Sequence, residues 1–101
     1  MSTLEILKQA RALIARPESW TQDVGARDSL GQETEYYLSD AVSFCSLGAI
    51  YRVAGSSAMT DKAISKLDEI MDGITYFNDR HTHAEVLQLF DEAIARMEKE
   101  A

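Results

Sequence analysis

Residues 40–55 read DAVSFCSLGAIYRVAG, the most apolar stretch of the chain. It ends at Gly55, the residue type that most often takes the left-handed turn beyond a helix. At about 100° per residue, Phe44, Leu47, Ile50, Tyr51 and Ala54 fall on one face, and Ala41, Cys45, Gly48 and Ala49 on another. A helix apolar nearly all round belongs in a core. The pattern therefore predicts a buried central helix over about 40–54, with Ser39 or Asp40 as its N-cap. Its bulky face fills space between elements, and its small face admits another backbone. Gly48 supports this, because a mid-helix glycine costs about 1 kcal/mol against alanine and needs a packing reason.

The whole chain has 101 residues, which predicts a single globular domain over 1–101. A chain of this size buries about two-thirds of its unfolded surface, enough for one core without staples. Net charge is −7. That disfavours a nucleic-acid or anionic membrane partner, since both need clustered Lys and Arg. Cys45 is the single cysteine, which excludes an intrachain disulfide and suits a reducing compartment. The N-terminus lacks the basic and apolar regions of a signal peptide, and no apolar run approaches about 18 residues. A cytoplasmic location without membrane association is expected.

On either side of the central segment lie amphipathic patterns. Ser2-x-x-Glu5 has capping-box spacing, and Leu4, Ile6, Leu7, Ala10, Leu13 and Ile14 share one half of the helix that follows, up to Pro17. Trp20 then reads as a lid over helix ends, its indole N–H needing an acceptor. Residues 21–38 show no 3.6 period and carry Gly25 and Gly31. They predict either a short β-hairpin, Val24–Arg27 with Gln32–Glu35 around Asp28–Gly31, or an irregular loop. A third helix runs from near Ala58 or Asp61 to about Asp72, with Gly73 as its C-cap. Ile74, Tyr76 and Phe77 cross back over the core, and Asn78-Asp79 marks a turn. Thr82-x-x-Glu85 opens the last helix, with Val86, Leu87, Leu89, Phe90, Ala93, Ile94 and Met97 on one face. The expected class is mainly α: a four-helix domain around a buried central helix.

Arg16-Pro17-x-x-Trp20, Phe44-Cys45-x-x-Gly48-Ala49, Phe77-Asn78-Asp79 and Glu85-Val86-Leu87-x-x-Phe90-Asp91 occur in that order. The chain thereby resembles a family of small bacterial and bacteriophage domains of unknown function. In that family an Ala-Arg-Asp-x-x-Gly hairpin matches Ala26–Gly31, and Trp often stands where this chain has Phe77. The resemblance implies a hairpin. It brings no reaction, ligand or partner, and no catalytic residue transfers.

Three constellations could carry chemistry. Asp79, His81, His83 and Glu85 are metal-ligand types in one loop, but the histidines straddle a helix start at which Thr82 should cap. His83 packing at the helix N-terminus, with His81 and Asp79 as solvated loop residues, is preferred, and no metal is assigned. Cys45 could be a nucleophile, yet its apolar neighbours favour a small buried hydrophobe. Arg52 lies inside the central helix, and a structural pairing with Asp79, Asp91 or Asp40 is preferred to an anion site. No P-loop, dinucleotide fingerprint, zinc ribbon or nucleophile elbow is present.

Two function classes follow. The favoured one is a non-catalytic protein-interaction or regulatory module, with a homodimer as one form of it, acting through the aromatic region around Trp20, Tyr36 and Tyr37. The alternative is a small ligand-binding or hydrolase-like domain with a site at the Asn78–Glu85 loop, beside the hairpin. Trp20, Arg52, Asn78, Asp79, His81 and His83 are the candidate ligand-binding residues, and no catalytic residue or cofactor is assigned.

Overall fold

The computed structural model describes residues 1–100. The chain is mainly helical, and its described residues form five α-helices and one small antiparallel sheet. The helices are α1 (Thr3–Leu13), α2 (Ser46–Ala54), α3 (Ala58–Ile70), α4 (Ile74–Arg80) and α5 (His83–Glu100). A single 3-10 turn, Pro17–Ser19, follows α1. The strands are β1 (Ala26–Arg27), β2 (Glu33–Thr34) and β3 (Ser43–Phe44), in the order β2-β1-β3.

α1 packs against α2, α3 and α5, and α2 packs against α1, α3 and α4. The centre is thus shared by α1 and α2 rather than held by α2 alone. Ile6, Leu7, Ala10 and Ile14 from the first helical segment meet Ala49 and Ile50 of α2, Ala63 and Leu67 of α3, and Val86, Leu89, Phe90 and Ala93 of α5 in one buried cluster. The stripes expected for α1, α3 and α5 supply much of that cluster, whereas α2 brings Ile50 from its bulky face and Ala49 from its small one, and Ala26, Phe44, Ile74 and Phe77 join from the strands and α4. On the surface, Arg11 of α1 grips Asp91 of α5 with Nε on Oδ1 at 2.9 Å and Nη2 on Oδ2 at 3.3 Å.

The central helix begins at Ser46, not near residue 40, and its N-cap is Cys45 rather than Ser39 or Asp40. The sheet takes the backbone that the helix would have used. Val42 N donates to Arg27 O (2.9 Å), Cys45 N to Gly25 O (3.1 Å), and Phe44 O accepts from Thr21 N (3.0 Å). Strand pairing satisfies these groups as well as a helix would, so the apolar period continues past the true helix start. Gly55 does end α2, with φ +66°.

The hairpin is present, shorter than expected, and β3 adds a third strand. Asp28 Oδ1 accepts from Leu30 N (2.9 Å) and Gln32 N (3.0 Å), and Gly31 takes φ +79°. That is an aspartate bonding its own backbone a few residues on, closed by a left-handed glycine. Arg27 stiffens it: Nε donates to Thr21 Oγ1 (2.8 Å), Nη1 to Gly31 O (3.0 Å) and Nη2 to Gln22 O (3.2 Å). The Ala26–Gly31 motif is thus a built turn.

Ile74–Arg80 is a fifth helix, where a crossing segment with a turn at Asn78-Asp79 was expected. Gly73 opens it at φ +78° instead of capping α3, whose C-cap is Met71. Asp68 Oδ1 accepts the Ile74 amide at 3.0 Å. Seven residues give too few turns for a visible 3.6 period, so the helix rests on its packing.

Both capping boxes form. Glu5 N donates to Ser2 Oγ at 3.1 Å, and Glu85 N to Thr82 Oγ1 at 3.2 Å. In return Glu5 accepts from Ser2 N (3.3 Å) and Glu85 from Thr82 N (2.9 Å). These backbone bonds hold both carboxyls below the usual glutamate range. Their stabilisation is present above the ordinary glutamate pKa and is lost as pH falls through the lowered one. Thr82→Ala should lower stability by about 1 kcal/mol, read from urea denaturation midpoints. An unchanged midpoint would mean that the box adds nothing to α5.

Candidate functional site

Asn78 lies on α4, is 0% exposed, and joins three parts of the chain. Its Oδ1 accepts from Trp20 Nε1 (2.8 Å), Ser46 N (2.9 Å) and Ser46 Oγ (2.7 Å). Its Nδ2 donates to Thr21 O (3.0 Å) and Asp79 Oδ1 (3.1 Å). The indole and the Ser46 amide can only donate, which settles the orientation of the side-chain amide. Asn78 therefore ties the Trp20 loop and the first turn of α2 to α4.

The loop after Trp20 is stitched to the same helix. Gln22 Nε2 donates to Asn78 O (3.1 Å) and His81 O (3.0 Å), at the C-terminal end of α4 where carbonyls lack helical partners. Asp23 N donates to Asp79 Oδ1 (2.9 Å). Asp23 holds φ +73°, the one non-glycine residue with positive φ among the described residues. Gln22, Asp23 and Ser46 were not legible as site residues. They sit in an aperiodic loop and at an obscured helix start, and their partners lie far along the chain.

The six sequence candidates divide. Trp20, Asn78 and Asp79 come together, and the Trp20 indole finds its acceptor as expected. His83 packs beside them at the start of α5. Its ring lies 5.4 Å from that of Trp20, and Nε2 is 2.7 Å from Ile14 O. His81 is not a solvated loop residue. It is half-buried, stacked on Phe77 at 3.8 Å, with Nδ1 3.0 Å from Phe77 O. The histidines thus face different backbone carbonyls. No cluster of three or more His, Cys, Asp or Glu with metal-site geometry occurs among the described residues.

Arg52 lies apart and is exposed. The expected carboxylate pairing does not form, because each named partner is engaged elsewhere. Asp91 binds Arg11, Asp40 accepts from Thr34 Oγ1 (2.8 Å), and Asp79 accepts from Asp23 N. Arg52 Nη1 instead donates to the carbonyls of Tyr36 and Leu38, both at 2.8 Å, and its guanidinium lies 5.6 Å from the Phe44 ring centroid. It is a clamp on the segment between β2 and β3.

Beside the Asn78 knot is a half-open cavity of about 200 Å³, bordered by Asp23, Tyr36, Cys45, Gly48, Tyr51 and Asp79. Gly25 presses its carbonyl on Gly48 so closely that a Cβ there would overlap the oxygen and lie 3.0 Å from the carbon. The small face of α2 does admit a backbone, and it is this loop. Cys45 Sγ accepts from Gly48 N at 3.3 Å as the α2 cap. Burial pushes the thiol pKa up, aided by the Asp79 charge and opposed by the Gly48 and Leu47 amides. A maleimide should react slowly with native protein and at least about tenfold faster in denaturant, since the thiolate is the nucleophile. Equal rates would show that Cys45 is accessible and ionised.

Residues 1–96 match the family of unknown function DUF6197. No curated protein and no solved structure matches the chain. The chain belongs to DUF6197, which agrees with the resemblance to an uncharacterised domain family.

Proposed function

We propose that this member of DUF6197 is a non-catalytic protein-interaction module whose contact face is the segment from Tyr36 to Val42. The carrying observation is that Tyr37, Leu38 and Val42 are 64%, 43% and 49% exposed within six residues of chain. An apolar group displayed on a held backbone loses little entropy on docking, and exposed aromatics are favoured at interfaces. The backbone is held here by Arg52 on the Tyr36 and Leu38 carbonyls. The Tyr36 ring also packs against those of Tyr37 at 5.2 Å and Tyr51 at 5.5 Å. By contrast, Trp20 Nε1, the Asn78 amide and both histidines already have protein partners. That weighs against a ligand-binding or hydrolase-like role centred on the Asn78–Glu85 loop.

A photo-crosslinking amino acid at position 37, in cells of the native host, should give discrete protein adducts. The same group at the exposed Ala12 of α1 should not. Tyr37→Ser with Leu38→Ser should leave the melting temperature within a few degrees of wild type, because surface changes cost about 0.5 kcal/mol or less. The same adduct pattern from both positions, or none from position 37, would sink the proposal.

A further inference from the structure

We propose that the cavity bordered by Asp23, α2 and α4 binds an organic cation: a protonated amine on a short alkyl stem. At about 200 Å³ it exceeds the apolar cavity of about 150 Å³ that can take a benzene ring in another protein. Its wall is largely apolar and includes Tyr36 and Tyr51, a residue type whose ring face attracts cations. Two acidic residues, the exposed Asp23 and the half-buried Asp79, line it, and no basic side chain does among the described residues. Asp79 spends Oδ1 on the Asp23 and Asn78 donors. Neither Asp79 Oδ2 nor the Asp23 carboxylate has a hydrogen-bond or ion-pair partner among the described residues. An ammonium head near these oxygens, with its stem along the tyrosines, matches both charge and apolarity.

The opposite sign has one argument in its favour. The N-terminus of α2 opens on the same cavity, and a helix N-terminus carries about half a positive charge. Its leading amides are already taken, Ser46 N by Asn78 Oδ1 and Gly48 N by Cys45 Sγ. Two carboxylates outweigh half a charge, so a cation is favoured over an anion.

The cavity and the Tyr36–Val42 face share Tyr36 but are separate claims, because the cross-link reads the face and a titration reads the cavity. Amide NMR shifts of the full chain should be followed with four probes: n-butylammonium, Nα-acetyl-lysine methylamide, 1-butanol and butyrate. The two cations should give saturable shifts at Gly25, Cys45, Gly48 and Asp79, and the alcohol and the anion should not. Tighter binding of the lysine derivative would place the cation on a protein partner, and equal or tighter binding of butylammonium would place it on a free amine. Asp23→Asn keeps a side chain that tolerates the left-handed backbone and should weaken the cations about twofold to fivefold, as for an exposed charge pair. Tyr51→Leu should weaken them by a similar factor of about two to five. The proposal is overturned if neither cation gives saturable shifts at these residues, if butanol or butyrate binds as well, or if Asp23→Asn leaves the affinities unchanged.

Discussion

Replacing Gly48 with alanine should destabilise the protein by about 3 kcal/mol or more, at the upper end for overpacking. A single methyl group does this because its obstacle is main chain. The Gly25 carbonyl lies where the Cβ must go, and it also accepts the Cys45 amide at 3.1 Å. A side chain could rotate aside, whereas this peptide can move only by breaking the bond that fixes the start of α2. In an open helix interior the same substitution would stabilise by about 1 kcal/mol, so the sign of the effect is itself diagnostic. Gly25→Ala is the control, since a Cβ at Gly25 meets nothing within 4 Å. It should cost less than about 1 kcal/mol. Guanidinium unfolding of the two variants decides the matter, and a Gly48→Ala protein as stable as wild type would show that the loop does not press on α2.

Asn78→Ala should cost about 3–5 kcal/mol, because several buried groups lose their partner together and each orphan costs about 1–3 kcal/mol. The Trp20 indole, the Ser46 amide and the Ser46 hydroxyl lose an acceptor, and Thr21 O loses a donor. Ser46→Ala removes one donor and leaves Asn78 Oδ1 still paired, so about 1 kcal/mol is expected there. Trp20 emission should shift to the red in Asn78→Ala as the indole loses its anchor and water enters. If Asn78→Ala costs no more than Ser46→Ala, the knot is not what joins the Trp20 loop to the two helices.

Local signals in the sequence were enough for the helices that have length. Residues such as Leu7, Ala10, Leu67, Phe90 and Ala93 repeat at helical spacing, and burying one stripe per helix is the main way to hide them from water. The two capping boxes and the turn at Asp28–Gly31 were also legible, since their hydrogen bonds close within a few residues. The start of α2 was not. Apolar period continues through Ala41 and Phe44, and only pairing with β1 decides that this backbone runs extended. α4 is too short for its period to show, and it stands because Phe77 and Asn78 are buried by the rest of the fold.

The candidate site divides in the same way. The sequence marked Trp20 as a group whose indole needs an acceptor, and Cys45 and Gly48 as small residues on one face, whereas Asn78 read as a turn residue and not as a buried one. Which atoms meet was decided by contacts across 32 to 58 positions of chain, from Ser46 to Asn78 and from Trp20 to Asn78. The cavity depends on the same closure, because Asp23 and Asp79 approach only when the loop is drawn onto α4. A sequence records which side chains must be buried or bonded, since that follows from their own chemistry. Which partner each one finds depends on where distant segments are brought in space, and only the packed tertiary structure decides that.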